Sequence, residues 1–285
     1  MQLLFLLISM ASNLIAYLKQ IAFFFTYSSS TTKIKGGILM LHIFSLFLLW
    51  FVGCCLGSFF MVIGTRIPIH QSIIVPRSHC PNCQIPLHPY QLVPLISYFV
   101  QKGRCVTCRI KIPFLYPIIE GLSGFCYLVA YLSFGHSPTQ FRIILLLISF
   151  SLIFIVSDIF YQLLPDSVMF CFLCLTILVQ ISNFPTHFLG GFSLFSLFFL
   201  VAYLTPDGLG GGDIKLAGVL GWLLGFKLGL LAILLACLAS FTYFLFLFNY
   251  KKADLTTKVP FAPFILFGAL IAYFVTNQSS LAAIF

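Results

Sequence analysis

Ile143-Ile-Leu-Leu-Leu-Ile-Ser-Phe-Ser-Leu-Ile-Phe-Ile-Val-Ser-Asp158 is the stretch on which the reading turns. It holds no charge until its last residue, and its apolar residues run on continuously instead of alternating with polar ones. Continuity argues against a β-barrel strand and for a membrane helix, which needs about 20 apolar residues to cross the hydrocarbon core. Similar runs recur at about 41–64, 114–134, 142–157, 167–182, 188–204, 214–225, 228–249 and 261–275. They predict an all-α polytopic membrane bundle of about eight spans.

Composition agrees. Of 285 residues, 61% are hydrophobic and 7% charged, against roughly a quarter charged in a soluble domain. A soluble enzyme, a disordered chain and an acidic scaffold are excluded. Fifteen Lys and Arg face six acids, giving a net charge of +9. With so few charges, that bias records orientation in the membrane, and nucleic acid is not expected as a partner.

The one long polar interruption, 65–113, carries Arg66, Arg77, Lys102, Arg104, Arg109 and Lys111 and no acid. The positive-inside rule places it in the cytoplasm. Threading on from there puts 135–141, 183–187 and a turn near Lys227 outside, and 158–166, 205–213 and 250–260 inside. Lys251, Lys252 and Lys258 fit; Arg142 and Lys227 are mild exceptions. Residues 1–39 fit poorly. Lys19 follows its apolar run instead of preceding it, as a signal peptide would require. Lys33 and Lys35 would lie outside if the run were a span. The expectation is a doubtful extension over 1–39 with the true start at Met40, a first span at 40–64, the loop at 65–113, and a transmembrane helical part at 114–285.

Within the loop, Cys80-Pro-Asn-Cys83 and Cys105-Val-Thr-Cys108 are two C-x2-C knuckles. Two knuckles offer four thiolates, which complete a tetrahedral zinc site. A loop with little core gains its folding energy from such a metal, and a cytoplasmic setting disfavours structural disulfides. His79 and His88 are spare ligands or solvated surface groups. Cys54, Cys55, Cys126, Cys171, Cys174 and Cys237 lie in apolar runs as small packing residues.

The six acids are Glu120, Asp158, Asp166, Asp207, Asp213 and Asp254. Asp166 after Pro165 reads as a helix cap, and Asp207 after Pro206 as a turn residue. Asp213 ends Gly208-Leu-Gly210-Gly211-Gly212-Asp213, where the missing side chains let another segment approach closely. The P-loop Lys-Ser/Thr ending is absent. Asp158 and Asp213 sit at the ends of different runs on the same predicted side. Two carboxylates sharing a site do not both ionise easily, and such a pair acts as acid and base on a water attacking a peptide bond.

Gly210-Gly211-Gly212-Asp213 resembles the GxGD signature of intramembrane aspartyl proteases. With Asp158, the following Leu-Pro-Asp166, Gly57-Ser-Phe59, Arg66-Ile-Pro68, the paired knuckles, Pro94-Leu-Ile-Ser-Tyr98, Tyr116-Pro-Ile-Ile-Glu120 and Pro260-Phe-Ala-Pro-Phe264, the chain resembles the prepilin leader peptidases over about 50–270. The resemblance implies that Asp158 and Asp213 are the catalytic pair, supported by Gly210, Gly212 and Lys215. It implies cleavage of a short basic leader from type IV prepilins or pseudopilins, in pilus assembly, secretion or competence. N-methylation with S-adenosylmethionine follows in many relatives, and the setting is the lipid of the bacterial inner membrane, with the site facing the cytoplasm. Lys215 would favour an ionised Asp213 or simply anchor at the interface. Glu120 would meet its helix dipole, or bind a leader or methyl donor. The competing classes are a proton-coupled transporter, disfavoured by acids at helix ends instead of mid-membrane, and a non-catalytic assembly factor.

Overall fold

Lipid offers the backbone no hydrogen-bond partner, so an apolar run satisfies its own N–H and C=O groups by closing into a helix. The computed structural model describes residues 32–205, 208–249 and 260–282, with side chains for 40–205, 208–249 and 260–277. Among these the regular structure is helical: α1 Thr32–Arg66, the short α2 Ile96–Val100, α3 Leu115–Phe134, α4 Pro138–Tyr161, α5 Asp166–Gln180, α6 Phe184–Leu204, α7 Gly211–Asn249 and α8 Ala262–Ala282. Most of the expected 1–39 extension, together with Asp207, Lys251, Lys252, Asp254 and Lys258, lies outside the described residues.

Five stretches are long and apolar enough to cross a membrane: Met40–Ile69, Leu115–Phe134, Pro138–Tyr161, Asp166–Leu204 and Gly211–Asn249; Ala262–Asn277 is a shorter apolar helix. By this measure two joins reduce the eight expected runs to six stretches among the described residues, and the last of them, Ala262–Asn277, is below span length. Runs 167–182 and 188–204 meet through a single 3-10 turn at Ile181–Asn183, and 214–225 and 228–249 become α7. Each joined stretch has 39 residues, about 58 Å as a straight helix and far beyond the ~30 Å hydrocarbon core.

Helix α7 resolves that excess by breaking. Gly225 takes φ 79° and ψ 169°, a region that is essentially open to glycine alone. A Cβ on Gly229 would lie 3.4 Å from the Cα of Gly221, although eight residues of straight helix rise about 12 Å. The chain therefore folds back into two arms, 211–224 and 226–249. A broken helix leaves carbonyls without their usual partners. Here Gln180 Nε2 donates to the Leu223 carbonyl at 2.8 Å, and His187 Nδ1 to that of Trp222 at 2.6 Å. Helix α6 reaches the break because Gly190 lies against Gly221, where a Cβ would come within 2.6 Å of the facing carbonyl oxygen. Small residues of this kind let membrane helices approach backbone to backbone.

The chain divides into two compact units, residues 1–59 with 77–129 and residues 60–76 with 130–285. In the first, α3 is tied to α1 by Ser123 Oγ donating to the Gly53 carbonyl at 2.7 Å, and to the loop by the Leu95 N–H donating to Glu120 Oε2 at 2.8 Å. Those bonds explain why α3 as far as Val129 groups with the cysteine loop. In the second, α4 forms the core: Ile144, Leu147, Ile148, Phe150, Ile153 and Phe154 are fully buried, and Phe150 stacks on Phe172 of α5 with centroids 4.5 Å apart.

Replacing Gly225 by Ala forces a side chain into that left-handed conformation and should destabilise the protein by about 1–3 kcal/mol. Gln180→Leu removes one donor from the break, and leaving a carbonyl unpaired costs about 1–3 kcal/mol. Thermal unfolding in detergent checks both, with Gly211→Ala as control, because a Cβ at Gly211 meets nothing within 4 Å.

Candidate active site and metal centre

Asp158 occupies the last turn of α4. Its carbonyl accepts the N–H of Gln162 at 2.9 Å, and Gln162, with φ 52°, turns the chain out of the helix. Ser157 Oγ donates to the Leu163 carbonyl and holds the exit in place. The Asp158 side chain is buried at 7% exposure, and its Oδ2 has no hydrogen-bond partner within the described protein. A buried, unpartnered carboxylate oxygen in an apolar setting is costly, and such groups concentrate at functional sites.

Asp213 stands in the first turn of α7. The Gly210 carbonyl accepts the Asp213 N–H at 3.1 Å, and a Cβ on Gly210 would sit 3.4 Å from Asp213 Oδ2. The carboxylate thus curls back over a residue that has no side chain. Gly212 has a different neighbour: a Cβ there would come within 3.0 Å of Leu164 Cβ, in the segment that leaves α4. The close approach expected of the glycine run is therefore made by Leu164, six residues after Asp158 and two before α5 begins. The Asp213 end of α7 is thereby packed against the exit from α4 that follows Asp158.

Lys215 and Asp166 depart from expectation. Lys215 Nζ donates to Asp166 Oδ1 at 2.6 Å, so among the described residues its ion pair is with Asp166 and not with Asp213. Both side chains are largely exposed, at 49% and 75%, and pairs of that kind contribute less than about 1 kcal/mol. Asp166 is not a cap either: Pro165 holds the N-cap position, and Asp166 is the first helical residue with no side-chain capping bond. Its carboxylate instead favours the positive end of the α5 dipole. Glu120 is buried and gives one oxygen to the Leu95 N–H, which is a structural use. Nothing in composition could have announced Leu164, Gln180 or His187, because their roles depend on which distant segment arrives beside them.

In the other unit, the Sγ atoms of Cys80, Cys83, Cys105 and Cys108 all lie within 4.8 Å of one another. Cys80 and Cys108 are 3.7 Å apart, and Cys83 and Cys105 4.0 Å. Four sulfurs at 2.3 Å from a tetrahedral zinc are about 3.8 Å apart, so the donor set fits that ion. The two knuckles are built alike. The Cys80 and Cys105 carbonyls accept the N–H of Gln84 and Arg109 at 2.9 and 3.1 Å, and those two residues take φ 57° and 61°. The Ile110 N–H, followed by the Asn82 side chain, holds the Cys108 thiol down at about 6, toward the thiolate a metal binds. His79 Nδ1 instead meets the Arg77 carbonyl at 2.9 Å, and His88 stacks on Tyr90; neither joins the cluster.

An all-helical membrane chain with a buried, unpartnered aspartate at one helix end, and a second aspartate on the helix packed against its exit, has the features of a membrane-embedded aspartyl peptidase. The comparisons narrow this. Residues 51–134 match the bacterial peptidase A24 N-terminal domain, and residues 145–245 the type IV leader peptidase family. A prepilin leader peptidase/N-methyltransferase of Bacillus subtilis (strain 168) is 34% identical over 230 residues, covering 79% of this chain and 92% of the relative. Its counterpart in Stutzerimonas stutzeri is 26% identical over 256 residues, covering 78% and 87%. That of Pseudomonas aeruginosa is 31% identical over 218 residues, covering 70% and 72%. No solved structure matches at a significant level. The chain belongs to the prepilin leader peptidase/N-methyltransferase family.

The two motif glycines that flank Gly211 should be separable from it. Gly212→Ala pushes on Leu164 and should lower prepilin cleavage about tenfold or more, since small misplacements at a site have effects of that size. Gly211→Ala should cleave at close to the unsubstituted rate in the same assay.

Proposed function

We propose that Asp158 and Asp213 are the catalytic pair with which this enzyme removes the leader from type IV prepilins or pseudopilins. The observation that carries the reading is the packing of Gly212, beside Asp213, against Leu164 in the exit from α4 that follows Asp158, whose Oδ2 is buried without a partner. One carboxylate, ionised, takes a proton from water as it attacks the scissile carbonyl. The other, protonated, donates to the carbonyl oxygen; the roles then reverse to protonate the leaving amine. The pair titrates as a unit, so neither member is assigned as the base. Low dielectric around Asp158 strengthens each of these contacts relative to water.

Orientation follows from charge. The basic loop 65–113 lies in the cytoplasm, and two crossings later the Asp158 end of α4 returns to that face of the bacterial inner membrane. Prepilin is the partner, and lipid is the solvent. Cys80, Cys83, Cys105 and Cys108 would hold a zinc ion, which supplies a structural crosslink between the two knuckles when bound. Methylation of the new N-terminus, with S-adenosylmethionine as donor, is the second activity of the family, and Glu120 supports it by holding the loop segment at Leu95.

Purified protein in lipid, given a prepilin, tests the pair. Asp158→Asn and Asp213→Asn should each lower cleavage by about 10²–10⁴-fold, the usual contribution of a general acid or base, with insertion unchanged. Normal processing by either variant would remove that residue from the mechanism. For the metal, Cys83→Ser and Cys108→Ser should each lose the close-to-equimolar zinc of the unsubstituted protein; unchanged zinc content by elemental analysis would end the assignment.

A further inference from the structure

The short helix α2 exposes an apolar edge that the peptidase reading does not use. Ile96, Phe99 and Val100 are 56, 68 and 74% exposed. At spacings i, i+3 and i+4 they share one helix face. An uncovered stripe of this kind is unusual in a segment that is free in water. Directly after it come Lys102 and Arg104, with Arg77, Arg109 and Lys111 elsewhere in the loop, all exposed. Among the described residues none of the five is in an ion pair, and no acid lies between residues 65 and 113 to neutralise them.

The level at which α2 sits decides what covers it. Leu95, the N-cap of α2, donates its N–H to Glu120. Glu120 is five residues into the span-length helix α3, about 8 Å along its axis. A Cβ on Gly121 would meet Leu95 Cδ2 at 3.7 Å, and the ring of Tyr98 in α2 lies 6.0 Å from that of Phe114. Helix α2 is therefore pinned beside the opening turns of a span-length helix. Phe114, just before α3, and Ile118 and Leu122 within it are exposed apolar residues too, as a lipid-facing helix would present.

We propose that α2 is an interfacial anchor: Ile96, Phe99 and Val100 enter the acyl boundary, and Lys102 and Arg104 bind the phosphates of anionic lipids. An apolar face bordered by cations is the composition of helices that lie in the plane of a membrane surface, and each cation near an anionic surface adds to the attraction. The cysteine knuckle that begins at Cys105 is thereby held against the bilayer.

The test uses the full chain in nanodiscs without substrate, and so does not depend on the catalytic assignment. Phe99→Trp adds an emitter to Trp50 and Trp222, whose signal is subtracted. In discs of phosphatidylglycerol brominated on the upper acyl chain, the added emission should fall about twofold or more, as for a side chain at the acyl boundary. Lys102→Glu with Arg104→Glu should relieve that quenching. Amide exchange of residues 96–100 in the unsubstituted protein provides a second measure, expected to be slower in anionic than in neutral discs. Water-like emission with no bromine quenching overturns the proposal. So does quenching indifferent to lipid charge and to the double substitution, or protection that arises only when prepilin is added, which would make the occupant a protein.

Discussion

The absence of water around the backbone is the constraint from which this structure follows. In lipid every N–H and C=O must find a partner inside the protein, so apolar runs become helices, and each departure from a helix has to be repaired. The repair is visible at Gly225, where two carbonyls freed by the break receive Gln180 from α5 and His187 from α6. Three helices are thereby fixed to one another at a point where none could stand alone. The first arm of α7, held at its far end by these bonds, presents Asp213 at its near end. Gly212 against Leu164 then brings that end of α7 to the short exit from α4 that follows Asp158.

Much of this was legible in the sequence, for a reason specific to membranes. Where few charges are tolerated, each one that remains has a job, and both Asp158 and Asp213 stood out at the ends of apolar runs. The break in α7 at Gly225 falls two residues from the turn expected near Lys227. The cysteine knuckles were legible because spacing alone fixes how two thiols from one turn face a common centre. Other features were not. Lys215 is two residues from Asp213, yet an exposed lysine finds whichever carboxylate its side chain reaches first, and that is Asp166. Counting continuous helical stretches gives fewer pieces than counting runs, because Ile181–Asn183 is a 3-10 turn and Gly225 a kink, not a loop. Gln180 and His187 carry no local signal at all, since their acceptors lie 43 and 35 residues away.

The cysteine loop obeys a different economy. With few apolar residues to bury, it relies on repetition: two knuckles with the same chain path, each closed by a residue at positive φ and each presenting two sulfurs. Four thiolates this close repel one another, so a cation among them is what makes the arrangement favourable. Glu120 performs the complementary task at the other end of the loop, where its carboxylate fastens Leu95 to α3.

The fold-back at Gly225 also has a consequence for the membrane itself. The arm of α7 that begins at Gly211 ends before Gly225, so it is about 21 Å long, roughly two thirds of the hydrocarbon thickness. A helix that short is mismatched to the bilayer: lipids around it thin, or its end sinks below the head-group plane. Hydrolysis at a membrane needs water as much as it needs carboxylates, and Asp213 stands in the first turn of this short arm, at the end where a helix meets the head groups.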